Sequence, residues 1–227
     1  FSMLDGMFAI AIWDTNERRL ILARDTAGEK PLYYYLSKSN ELVFGSTLKS
    51  ICKFPGIDVS LDFSGIWDIP TFTWIPQPQT IFKKIKSLPK SHYVIFDCNR
   101  AVFKKFNYKY KNDYSGLNDK ELIQITKETV ESSVNLRLLS DVPIGSFLSG
   151  GLDSSIVSYI ASKKINKLKT YTIGFENTSD LQHGKADESS QAVQFAKFIN
   201  SDHRTIRVKS SDFLRNLQDY IAFADQP

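Results

Sequence analysis

The sequence predicts an α/β protein whose second half is a parallel sheet flanked by helices. Three observations carry that expectation. Beyond about residue 117, apolar strand-like runs alternate with helical segments, the order that builds parallel sheets. Before about residue 112, short apolar runs follow one another through turn chemistry, with little helical pattern. Between them Asn107 to Gly116 is polar and turn-rich, dividing the chain into domains 1–112 and 117–227.

Met7 to Trp13 is apolar at every position, which predicts a strand covered on both faces. Asp14 to Glu17 is a turn cluster, and Arg18 to Arg24 returns as a second strand. Asp25 to Lys30 reverses the chain again. Pro31 to Leu36 and Glu41 to Ser46 predict a strand pair around Ser37 to Asn40, and Thr47 to Phe54 a short helix closed by Pro55-Gly56. Ser60 to Gln79, aromatic and punctuated by proline, predicts loops with one or two helical turns. Ser91 to Asp97 and Ala101 to Tyr108 predict a hairpin turning at Cys98-Asn99-Arg100.

In the second half Asn118 or Asp119 can cap a helix, with Glu121 in its first turn, running to about Ser140. Strands follow at Pro143 to Leu148, Lys169 to Phe175 and His203 to Val208. Helices follow at Ser154 to Lys163, Asp187 to Asn200 and Ser211 to Ala224.

A hydrophobic fraction of 42% with 13% aromatics supplies a core and excludes wholesale disorder. The net charge of +4 does not by itself call for a polyanionic partner. The longest unbroken apolar run, Met7 to Trp13, falls far short of the roughly 20 residues of a membrane span. No signal-peptide pattern opens the chain. Cys52 and Cys98 form neither a CxxC pair nor a disulfide framework, which suits a reducing, cytoplasmic setting. The chain opens at Phe1, with Met3 inside an apolar stretch, and reads as an excerpt of a longer protein.

Ser149-Gly150-Gly151-Leu152-Asp153-Ser154-Ser155 lies where the first strand of the second half meets its helix. Ligands of such sheets bind outside the carboxyl ends of the strands. Paired glycines let the backbone approach a phosphate, and successive N–H groups at a helix start supply donors and a positive dipole end. Ser149, Ser154 and Ser155 add hydroxyls. Asp153 would repel a bare phosphate, so its presence points to Mg²⁺, which takes carboxylate and phosphate oxygens together. Neither a Walker A loop nor a GxGxxG is present. The plainer alternative is a Gly-Gly turn with Ser and Asp serving only as helix caps.

This loop resembles the PP-loop of the ATP pyrophosphatases, which cleave ATP between the α and β phosphates and adenylate a substrate. With Ser140 to Gly145 before it and Leu168 to Phe175 after it, the stretch resembles glutamine-hydrolysing asparagine synthetases. Leu4-Asp5-Gly6-Met7-Phe8-Ala9, Ala23-Arg24-Asp25, Gly28 to Tyr34, Thr80-Ile81-Phe82 and Ser87-Leu88-Pro89 extend the likeness over essentially the whole chain.

The resemblance implies the end of an αββα N-terminal-nucleophile glutaminase domain followed by part of a parallel-sheet PP-loop ATP pyrophosphatase domain. It implies a carbon–nitrogen ligase that makes asparagine from aspartate and glutamine through β-aspartyl-AMP, releasing AMP and pyrophosphate. Ser149, Gly150, Gly151, Asp153, Ser154 and Ser155 would hold the phosphates, with Asp153 as a Mg²⁺ ligand. Phe147, Leu148 and Ile173 would face the adenine. ATP and Mg²⁺ are the implied cofactors, and a homodimer is compatible. The nucleophilic cysteine of the family would precede this chain, a second acidic loop would follow Pro227, and the excerpt alone would be inactive. Thr26, Thr47 and Gln226 depart from residues common in the family. A relative adenylating another carboxylate, of the β-lactam-forming or peptide-tailoring kind, fits the same loop.

Cys52, on a short helix, and Cys98, in a hairpin turn, read as inert thiols. His92, His183 and His203 share no metal-ligand spacing, and Asp187-Glu188 suits a helix start. Lys83 to Lys111 holds nine basic residues and one acid, interleaved with Tyr93, Phe96, Phe103, Phe106, Tyr108 and Tyr110. Such a stretch can bind single-stranded nucleic acid by charge and stacking. Its plainer reading is a hairpin with aromatics inward and lysines outward, so no nucleic-acid partner is expected.

Overall fold

The computed structural model describes residues 1–97, 100–106, 114–175 and 187–225. They fall into two compact units, Phe1–Lys111 with Gln218–Pro227, and Asn112–Leu217. Strands and helices mix in both.

In the first unit β1 (Ala9–Asp14) pairs antiparallel with β2 (Arg19–Arg24). The Asp14 carboxylate closes their turn by accepting the N–H groups of Asn16 and Glu17, both at 3.1 Å. A second antiparallel sheet joins β3 (Tyr33–Leu36) to β4 (Leu42–Gly45). After it comes α1 (Leu48–Cys52), whose first N–H groups are capped by Thr47 and by the Asp225 carboxylate. Then follow α2 (Phe63–Phe72), β5 (Ile85–Ser87), β6 (His92–Phe96) and β7 (Ala101–Lys105). The sheet orders are β1-β2-β6-β7 and β4-β3-β5. Leu22 and Val94 of the first sheet share a core with Leu32 and Leu88, against which Tyr34 and Leu42 of the second pack. The turn residues Cys98 and Asn99 lie outside the described residues, as do Tyr108 and Tyr110.

Two expectations are corrected here. The apolar run Met7 to Trp13 yields a strand at the end of its sheet: among the described residues β1 pairs only with β2, and Met7, Ile12 and Trp13 stay exposed. An unbroken apolar run reports hydrophobicity and says nothing of which faces are covered. Within Ser60 to Gln79, α2 is a ten-residue helix. Pro70 disguised it, because a proline near a helix end forfeits one backbone bond without ending the helix.

Arg24 and Asp25 form the buried centre of this unit. The Asp25 carboxylate accepts five backbone N–H groups, from Phe8, Ala27, Gly28, Glu29 and Lys30. Arg24 donates to the carbonyls of Lys30, Leu88 and Gly28 and to the Ser87 hydroxyl. Burial alone would raise the Asp25 pKa, but the backbone N–H donors overcome it and hold the carboxyl below its ordinary value. A depressed folded pKa makes this a stabilising charge above the unfolded value, lost as pH falls through the folded one. Asp25→Ala orphans several buried donors and should cost about 3 kcal/mol or more in urea unfolding at neutral pH. A loss below about 1 kcal/mol would mean that water serves these N–H groups equally well.

In the second unit α3 (Asp119–Leu136) opens with a reciprocal capping box between Asn118 and Glu121. It ends a turn before Ser140, whose hydroxyl instead accepts the Val142 N–H. Next come β8 (Gly145–Phe147), α4 (Leu152–Ser162), β9 (Lys169–Phe175), α5 (Ser189–Phe198), β10 (Asp202–Val208) and α6 (Ser210–Ala224), of which the residues from Gln218 on are counted with the first unit. The three strands are parallel in the order β10-β9-β8. Thr170, Thr172 and Gly174 alternate on the buried face of β9, and Ala192 and Ala196 of α5 are buried with Leu148. Val134 of α3 packs with Ile160 and Ala161 of α4 and with Leu168. Among the described residues no helix is long and apolar enough to cross a membrane.

Candidate functional site

The site begins at the carboxyl end of β8, beside the central strand. Leu148, fully buried, donates its N–H to the Tyr171 carbonyl at 2.8 Å, and the Thr172 hydroxyl donates to the Leu148 carbonyl. These bonds fix the strand end from which residues 149–151 depart. Gly150 turns the chain with φ +87°, in the left-handed region that favours glycine. A Cβ there would lie 2.9 Å from the Glu188 carbonyl and 3.0 Å from Gln191 Cβ, so the loop sits directly on the start of α5.

Gly151 is the N-cap of α4 in extended conformation, with φ −73° and ψ 162°, and offers no side-chain cap. The opening N–H groups of a helix have no intrahelical partner, so this end keeps donors and a positive dipole for an anion. Ser149 and Ser154 are brought together, their hydroxyls 2.9 Å apart, and Ser154 also accepts the Ser149 N–H. Ser155 turns inward and donates to the Gly151 carbonyl at 2.8 Å. Asp153 stands in the first turn of α4, exposed, with no hydrogen-bond or ion-pair partner among the described residues.

Beside the loop a small open pocket of about 240 Å³ is lined by Phe147, Leu148, Ser149 and Ile173, together with Tyr171, Thr172 and Glu188. The sequence reading names the first four and misses the other three. Glu188 escaped because its spacing suited a helix start; it does begin α5, and its carboxylate also reaches to 3.9 Å from where a Gly151 Cβ would stand. Gly150, Gly151, Asp153, Ser154 and Ser155 adjoin this pocket through the loop and do not line it. Asp187 ties the end of β9 to α5 by accepting the N–H groups of Phe175 and Ser189, and it pairs with Arg207 of β10. Hydrogen bonds from Ser189, with Phe175 and the Arg207 charge, hold its carboxyl below the usual range.

The oxygens present suit Mg²⁺. No group of three or more acidic, His or Cys ligands exists among the described residues. The Gly151 N–H donates to the Ser149 hydroxyl at 3.3 Å, so within the loop it is serines that hold the Ser149 and Gly151 donors. Asp153 and Glu188 are carboxylates near this loop, and magnesium commonly takes one or two carboxylates with phosphate oxygens completing its shell.

Residues 1–108 match the family model described as a glutamine amidotransferase domain, and residues 126–227 match the one described as asparagine synthase. The chain belongs to the glutamine-hydrolysing asparagine synthetase family. A Methanocaldococcus jannaschii protein provisionally named asparagine synthetase 2 (glutamine-hydrolysing) is 32% identical over 98% of this chain and 43% of its own length. Asparagine synthetase 1 (glutamine-hydrolysing) of Bacillus subtilis is 33% identical over 85% of this chain and 30% of its own. Asparagine synthetase 3 of the same organism is 28% identical over 99% and 38%. The chain therefore spans less than half the length of these family members.

Cys52 is half-buried at the end of α1, where burial and then the nearby Asp225 charge push its thiol pKa up. A nucleophile needs the opposite shift. A glutamine-directed chloroketone at stoichiometric dose should leave Cys52 unmodified by mass spectrometry, whereas glutamine-protected labelling would make it the nucleophile. Cys98, His183 and Gln226 lie outside the described residues.

Proposed function

We propose that this chain carries the ATP-activating loop of an enzyme that forms asparagine from aspartate and the ammonia released from glutamine. The observation that supports it best is the loop itself. A left-handed Gly150 and an uncapped Gly151 present backbone donors at the carboxyl end of a parallel sheet. The family membership and the order of its two domains support the same reading.

On this reading the adenine occupies the pocket between Phe147 and Ile173, and the phosphates lie over residues 149–155. An aspartate carboxylate oxygen attacks the α-phosphorus. The bond to the bridging oxygen breaks, and pyrophosphate leaves with that electron pair. Ammonia then attacks the β-acyl carbon of the adenylate and AMP departs. Loop N–H groups and the Ser149–Ser154 pair stabilise charge on the leaving pyrophosphate, the role that preorganised donors perform best. Bound Mg²⁺ would neutralise phosphate charge, with Asp153 and Glu188 as its candidate protein carboxylates.

Aspartate-dependent exchange of labelled pyrophosphate into ATP, in the complete enzyme, tests this reading. Exchange should require aspartate and Mg²⁺. Exchange driven better by another carboxylate would transfer the loop to a related ligase.

A further inference from the structure

The basic stretch Lys83 to Lys111 takes no part in the phosphate loop. Among the described residues its aromatics pack on the protein: Phe96 and Phe106 are buried, Tyr93 and Phe106 pack against Phe1, and Phe103, though exposed, packs against Tyr34. Its basic residues do something else. Lys90, His92 and Lys105 line a cavity of about 740 Å³ in the first unit, together with Trp74, Tyr33 and Ser91. That volume lies within the roughly 300–1,000 Å³ of small-molecule sites.

Among the described residues, none of the side chains lining the cavity is acidic. His92 and Lys105 face each other directly in the β6–β7 register, so two basic groups share one cross-strand position. An anion held there would meet the Lys105 ammonium and the imidazole together. The imidazole is held by a 2.8 Å hydrogen bond between Nδ1 and the Lys90 carbonyl, leaving Nε2 as its other polar atom. Gly28, at φ +75°, lets the chain pass close to Lys90, whose Cβ lies 3.1 Å from where a Cβ on Gly28 would stand. Behind it stands the rigid turn built on Asp25. Trp74 contributes an indole that is 59% exposed, a large apolar ring open to solvent in a lining otherwise rich in polar groups.

We infer that this cavity binds a mononucleotide, its base against Trp74 and its phosphate among Lys90, His92 and Lys105. Cations supply the phosphate contacts and the ring supplies stacking, the two contributions that single nucleotides draw on. The site is separate from the phosphate loop and stands whether or not that loop binds ATP.

Trp74 is also the reporter. In the 227-residue chain with Trp13→Phe and Trp67→Phe, it is the one tryptophan left of three. AMP should quench its fluorescence saturably, and inorganic phosphate should compete. Lys90→Glu with Lys105→Glu should raise the AMP midpoint by more than about tenfold, since bonds to charged groups are among the strong ones. Both positions are exposed, so the circular dichroism spectrum should not change; if it does, Lys105→Gln alone should still raise the midpoint. Gly151→Ala should leave it unmoved. Absence of quenching, an unchanged midpoint in the charge variants, or quenching by a single-stranded oligonucleotide but not by AMP would each overturn the proposal.

Discussion

Asp153→Asn in the complete enzyme should abolish aspartate-dependent pyrophosphate release while glutamine hydrolysis continues near its normal rate. The carboxylate is exposed and without a partner among the described residues, so its loss removes little from the fold. A first-turn acid contributes only about 0.3–1 kcal/mol to its helix. Chemistry has far more at stake. On the proposed reading, losing this carboxylate would leave the developing pyrophosphate charge less compensated, and comparable losses of preorganised stabilisation cost about a hundredfold or more in rate. The two activities separate because the family's glutamine amidotransferase domain occupies residues 1–108, outside the loop. Near-normal pyrophosphate release by the variant would remove Asp153 from the reaction.

The second large effect is a contrast between neighbours. Gly150→Ala places a methyl group 2.9 Å from the Glu188 carbonyl and 3.3 Å from the Ala192 nitrogen, on a residue already at φ +87°. Backbone must move, and about 2 kcal/mol or more of stability should be lost. At Gly151 φ is −73°, and a methyl group meets only the Ser149 hydroxyl at 3.3 Å and the Glu188 carboxylate at 3.9 Å, both side-chain atoms. Its structural cost should stay below about 1 kcal/mol. Gly151→Ala is thus the cleaner probe of ligand approach. ATP affinity should fall by more than about tenfold, or about 1.4 kcal/mol, with little change in Tm. Normal ATP affinity in Gly151→Ala would mean that no phosphate lies against that residue.

Much of this was legible in the sequence where a local rule decides the outcome. Asn118 or Asp119, with Glu121 in the first turn, predicts a helix start there, and the structure makes Asn118 the cap, because both capping partners sit within one turn. The alternation of strand and helix after residue 117 led to three parallel strands, since strands joined through helices run the same way. Tertiary facts were not legible. Nothing in Met7 to Trp13 tells that one side of β1 has no neighbour. Ile85-Lys86-Ser87 is too short to signal a strand, and it forms β5 only because β3 lies beside it. At the site, Ser149 comes from the loop pattern, and Phe147, Leu148 and Ile173 from the resemblance to the family. Glu188 and Thr172 come from neither, because they reach the pocket through the packing of α5 and β9, not through spacing along the chain. Likewise the cavity of Lys90, His92, Lys105 and Trp74 draws on segments far apart in sequence, which a reading of charge runs reduces to a basic hairpin.

The central claim is that residues 149–155 cradle the phosphates of ATP, and amide hydrogen exchange in the complete enzyme measures it directly. Peptides covering 146–157 should exchange more slowly when Mg²⁺ and ATP are added, because the N–H groups of Gly150, Gly151 and the first turn of α4 would then donate to phosphate oxygens. Pyrophosphate with Mg²⁺ alone should protect the same peptide, while the strand end at Ile173 should need the nucleotide. Unchanged exchange across 146–157 under saturating ATP would contradict the account and leave the paired glycines as an ordinary turn.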